Sequence, residues 1–110
     1  NSTLVGVIID RIEFIIYTID SDLMIRVWSL QTSRCIKSYL IETRDDQIAE
    51  QLLNDQDAIQ KRTGERKKAT VVRSDEETKF LIVAFEGGEI QVNNLFTGAL
   101  IYNNSAVTPI

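Results

Sequence analysis

Residues 14–36 read FIIYTIDSDLMIRVWSLQTSRCI, and residues 79–101 read KFLIVAFEGGEIQVNNLFTGALI. Laid over one another without a gap, 65 positions apart, they match Ile25 with Ile90, Val27 with Val92, Leu30 with Leu95, Thr32 with Thr97 and Ile36 with Ile101. Each copy has an apolar run (Phe14 to Ile19; Phe80 to Phe85), a tight polar turn, and a strand alternating apolar with polar (Met24 to Ser29; Glu89 to Asn94). That order specifies a β-hairpin. Gly87-Gly88 is a direct two-residue hairpin signal, because both central residues of such a turn need positive φ. Its counterpart in the first copy is read as Ser21-Asp22. A second turn follows, in which Gly98 supplies the left-handed residue after Phe96-Thr97. Ser33 stands there in the first copy, where that conformation costs a non-glycine residue on the order of 1 kcal/mol.

Working outward, Thr3 to Ile9 is nearly all apolar, as befits a strand buried on both sides, and Ala69 to Arg73 is its shorter equivalent. Two four-stranded units follow from this reading. The first has strands near 3–9, 14–19, 24–29 and 34–41, and the second near 69–73, 79–85, 89–94 and 99–102. Between them, Ile48, Leu52 and Ile59 share one side of a helix expected over 45–62, with Ala49 and Leu53 widening the stripe. Asp45 or Thr43 is positioned to cap its start and Gly64 to end it. Acidic Asp45, Asp46 and Glu50 gather near the beginning and basic Lys61 and Arg62 near the end, as the helix dipole favours.

The run Asp22-Leu-Met-Ile-Arg-Val-Trp28 and its continuation to Ile36 resemble the signature stretch of a WD-repeat, the unit that builds one blade of a β-propeller. The resemblance implies an all-β fold: a β-propeller fragment of two four-stranded antiparallel blades with a helical insertion between them. The divisions are 1–42 for blade one, 43–68 for the insertion, and 69–110 for blade two and an exit segment. In the family, an Asp in the turn, a Ser or Thr on the preceding strand, the Trp and an upstream His form a structural hydrogen-bond network. Asp22, Thr18 and Trp28 match the first three, while the chain has no histidine. The matching second-copy positions are Gly87, Val83 and Asn93, so the second blade is expected to rely on packing without a network. A propeller has about 4 to 8 blades, and repeats of this kind generally need three or more units. Two blades are therefore read as part of a larger ring, completed by the same or another chain. The start at Asn1 rather than Met fits an excerpt or a processed product. The competing reading is a self-contained sandwich of two sheets packed face to face.

A chain of 110 residues, 44% hydrophobic and 25% charged, has the composition of a folded soluble domain. Its net charge of -4 opposes a primary nucleic-acid role, for which a strongly basic domain is expected. No apolar stretch is long enough to span a bilayer, so no membrane insertion is expected. The single cysteine, Cys35, implies no internal disulfide, and a cytoplasmic setting is expected, with nuclear or cytoskeletal ones as alternatives. Lack of histidine removes the Ser-His-Asp triad and histidine zinc sites. Cys35 lies on an alternating strand and is read as a packed thiol. Asn54-Asp55-Gln56-Asp57 lacks the sixth-position glycine of a calcium loop. No catalytic, cofactor or metal residue is assigned.

The function implied by the resemblance is a non-catalytic scaffold binding other proteins in a large multi-subunit assembly. One alternative is a propeller region that positions a catalytic domain elsewhere, in an enzyme or its regulatory subunit. Another is a structural component of a ciliary or cytoskeletal complex. The expected partner surface combines Ile48, Leu52 and Leu53 of the helix stripe with the basic cluster Lys61, Arg62, Arg66, Lys67 and Lys68. In the family layout the insertion opens on the same face of the disc as the turns around Ser21-Asp22 and Gly87-Gly88. A solvated loop balancing nearby acids is the plain reading of that cluster.

Overall fold

A computed structural model describes residues 2–51 and 67–104, with backbone alone for 49–51. Strands β1 (Leu4–Asp10), β2 (Ile15–Asp20), β3 (Met24–Ser29) and β4 (Cys35–Leu40) form one antiparallel sheet in chain order. Helix α1 (Arg44–Gln51) follows, and β5 (Ala69–Asp75), β6 (Phe80–Phe85), β7 (Ile90–Asn94) and β8 (Leu100–Asn103) form a second sheet in the same order. Among the described residues the fold is all-β with one short helix. The part of the expected helix beyond residue 51, including Leu52, Leu53, Lys61, Arg62 and Arg66, lies outside the described residues.

The repeat extends to individual strand pairings. Ile16 faces Trp28 and Ile19 faces Ile25 in the first sheet; 65 residues on, Leu81 faces Asn93 and Ala84 faces Ile90. The register breaks between Leu4 and Gly6 and between Val27 and Trp28 recur between Ala69 and Val71 and between Val92 and Asn93. Positive φ recurs too: Phe14 with Lys79, Leu23 with Gly88, and Ser33 with Gly98. A β-bulge re-aims the side chains that follow it, so keeping both bulges keeps the same faces on both sheets.

Two expectations need correction. The counterpart of Gly87-Gly88 is Asp22-Leu23, one residue later than Ser21-Asp22, and Leu23 itself takes φ of 70°. A non-glycine residue there costs about 1–2 kcal/mol, which full burial of the leucine side chain, about 1.5–3 kcal/mol, offsets. Cys35 is exposed rather than packed. It starts β4, an edge strand, just where the bulge interrupts alternation, and no described strand pairs beyond it.

One core lies between the sheets, built from Tyr17, Ile19, Leu23, Ile25, Val27 and Ile41 on one side and Ala69, Val72, Leu81, Val83, Phe85 and Leu95 on the other. Alternation along a strand sends neighbours to opposite faces. In the first sheet the covered face carries Tyr17, Ile19, Ile25 and Val27; we call it the front. Their repeat equivalents in the second sheet, Ile82, Ala84, Ile90 and Val92, point away from the core. The second sheet instead covers its back, with Leu81, Val83, Gln91 and Asn93, whose equivalents Ile16, Thr18, Arg26 and Trp28 lie on the open side of the first sheet. The sheets therefore stack front to back.

The stacking is close at both ends. On β1, a Cβ at Gly6 would stand 3.0 Å from the Val72 Cβ on β5. At the other end, a Cβ at Gly98 would run into the carbonyl oxygen of Leu40. Gly98→Ala is expected to lower stability by on the order of 3 kcal/mol in urea unfolding, because positive φ and a backbone clash add. Gly87→Ala, with nothing near its Cβ position, isolates the φ cost at about 1 kcal/mol.

Candidate functional site

The described side chains among those expected from sequence fall in two places, the open back of the first sheet and the end of the junction where the insertion leaves and returns. On the open back, Trp28 Nε1 donates to Thr18 Oγ1 at 2.9 Å, tying β3 to β2. Asp22 stands outside this pair. It sits exposed at the apex of its turn, and its carboxylate accepts a hydrogen bond from Lys68 Nζ at 2.7 Å. Asp20 organises the turn instead: Oδ1 accepts from the Asp22 and Met24 amides at 2.9 and 3.1 Å, and Oδ2 binds Arg26 at 2.8 Å. The cause is alternation, which points Asp20 under the turn and leaves Asp22 beyond the last paired residue. Burial works to raise the Asp20 carboxyl, but the Arg26 bond and the two amides outweigh it and hold it below the ordinary value.

At the junction end, Ile41 donates its amide to Leu23 O and Ala69 donates to Ser21 O, so the chain leaves and re-enters beside the first turn. Thr43 caps α1: its hydroxyl accepts from the Asp46 amide at 3.1 Å while Asp46 accepts from the Thr43 amide at 3.0 Å. Ile48 is exposed on the helix. Lys67 donates to Glu89 and Lys68 to Asp22, so each of these two basic groups has a carboxylate partner within the chain. The insertion ends thus lie beside both turns.

The second sheet holds a buried polar network, which corrects the expectation that it relies on packing alone. Asn93, fully buried at the position equivalent to Trp28, donates to Glu42 O at 2.8 Å and to Gly98 O at 3.0 Å. Gln91 donates to Glu42 O at 2.9 Å and to Asn93 Oδ1 at 2.6 Å. Asn103, also buried, donates to Glu89 at 2.8 Å. Glu42 completes the set: its amide donates to Gly98 O at 2.8 Å, and its carboxylate accepts from the Leu100 amide at 2.9 Å. Burial raises the Glu89 carboxyl, but the bonds from Asn103 and Lys67 and the charge of Arg44 prevail and keep it below its ordinary value. Tyr39 reaches across from β4 to donate its hydroxyl to Leu95 O, and burial, with the nearby Tyr17, pushes its pKa up to about 12.

Sequence pattern missed this network for a definite reason. Gln91 and Asn93 alternate with Ile90 and Val92, and alternation alone sends the polar pair outward. The front-to-back stacking turns them inward and leaves Ile90 and Ile82 exposed. No protein-family model matches the chain, and no curated protein matches it in sequence.

Asn93→Ala is expected to cost on the order of 2 kcal/mol in urea unfolding, since it removes one donor from each of two buried carbonyls and leaves a gap. Because Asp20 and Glu89 are held below their ordinary values of 3.8 and 4.5, their contribution is full above those values. It is lost as pH falls through the lower folded-state values. Stability should therefore drop on acidification through this window, and Asp20→Asn should flatten part of the drop.

Proposed function

We propose that the chain is a non-catalytic scaffold of the WD-repeat kind, two blades of a β-propeller whose open surfaces bind other proteins within a multi-subunit assembly. One observation carries the reading: two units with identical strand register stack front to back. A self-contained sandwich has no reason to turn Gln91 and Asn93 into its core and leave the apolar front of the second sheet in water. A repeated array does, because that front is where the next unit belongs. The comparison at matched positions supports the same view. Ile25 is 0% exposed and its equivalent Ile90 41%; Tyr17 is 4% and Ile82 44%; on the other face Leu95 is 2% and Leu30 44%. Each of these three residues buried at the internal junction has its twin exposed at an open end.

Within this reading Thr18 and Trp28 hold blade geometry, and the surface beside the Asp22 and Gly87 turns, with Ile48 on its rim, is the protein-binding one. The chemistry needed is apolar burial framed by charge, with no reacting group.

An apolar fluorescent dye of the anilinonaphthalene type is expected to bind the folded chain. Lysine at Ile82 and Ile90 together should remove about half of the signal, on the area logic of two equal open faces, and leave the thermal melt unchanged. A chain that binds no dye and melts in one sharp transition is a closed sandwich, and that result ends the propeller reading.

A further inference from the structure

We propose that the chain stacks on itself head to tail, with the open back of one copy's first sheet seated on the open front of the next copy's second sheet. This deepens the scaffold reading and rests on it, naming a second copy of this chain as the occupant of both open faces. The two surfaces belong to the one interface type already present between the sheets, so a second copy continues an established junction. Such an unlike-face contact grows into a ring or a filament, and does not close as a dimer.

Side-chain size fits the exchange. The open back carries Trp28 where the internal junction has Asn93, a much larger group. The open front carries Ile82 where the internal junction has Tyr17, and Ala84 where it has Ile19, both smaller. Around Trp28 the gain on one face is answered by the loss on the other, while Val71 stands on the open front where the internal junction has Gly6, so the stack opens slightly at that edge.

Charge fits as well. Arg73 lies on the open front, opposite Ile82 in the β5–β6 pairing, and takes the place held by Ile8 in the first sheet. It stands on the edge strand β5, so a stacked copy covers its aliphatic stem and leaves the guanidinium at the rim. On the open back, the charge of Arg26 is already met by Asp20 at 2.8 Å, so burying that pair leaves no lone charge.

The test is mass by sedimentation over a concentration series, on the full chain and on two capped variants. Ile9→Lys with Leu30→Lys blocks the back, and Ile82→Lys with Ile90→Lys blocks the front; all four residues are exposed, and circular dichroism melts establish that the variants fold. The wild type is expected to form a concentration-dependent series of multimers. Each variant alone should be a monomer, and an equimolar mixture should give a dimer and nothing larger. A capped variant that still dimerises means like faces pair and overturns the proposal, as does a wild type that stays monomeric. If that monomer binds the apolar dye, the scaffold reading survives without self-stacking; if it does not, both fall.

Discussion

Everything in this fold depends on covering a sheet that is apolar on both sides. A single sheet neighbour can shield one face only, so two such sheets must leave two faces in water whichever way they meet. The chain resolves the choice by apposing unlike faces. Like faces in contact would bury Tyr17, Ile19, Ile25 and Val27 against Ile82, Ile90 and Val92, an interior apolar but for Arg73 at its edge. The arrangement found gives that up and places Gln91 and Asn93 inside.

Burying two amides is tolerable only because each is bonded, and the partners come from the segment that follows β4. Glu42 offers its carbonyl to both amides, its own amide to Gly98 O, and its carboxylate to Leu100, and so fastens the end of the first sheet across the second. The close approach of Gly98 to Leu40, and the Tyr39 hydroxyl on Leu95 O, fix the same end. Polar pairing has direction where apolar contact has none. The network can therefore select the front-to-back stacking over a slipped or inverted one, at the modest net gain that buried hydrogen bonds supply.

Much of this was legible in the residues. Hairpins announced themselves through apolar runs, alternation and Gly87-Gly88, and the eight strands lie within a residue or two of their expected limits. Thr43 was one of the two caps foreseen, and Ser33 takes the left-handed conformation its place opposite Gly98 required. The errors are of one kind. Asp22 was placed in a network with Thr18 and Trp28 when it lies outside that pair and Asp20 organises the turn, the turn was placed one residue early, and Asn93 was read as a gap in a network when it is the centre of another. Each turns on which way a side chain points, and a one-residue shift in a strand reverses that.

The sequence by itself determined the elements, their order and the repeat, because hydrophobic period and turn chemistry are local properties that act within a few residues. Only the tertiary structure decided which face of each sheet is covered. Both faces carry enough apolar groups to serve, and the deciding interactions join residues 49 to 58 positions apart, Glu42 with Gln91, Asn93 and Leu100 and Tyr39 with Leu95. No local pattern encodes a bond across that distance. The open faces that suggest a function are the remainder of that choice, visible once the covered ones are known.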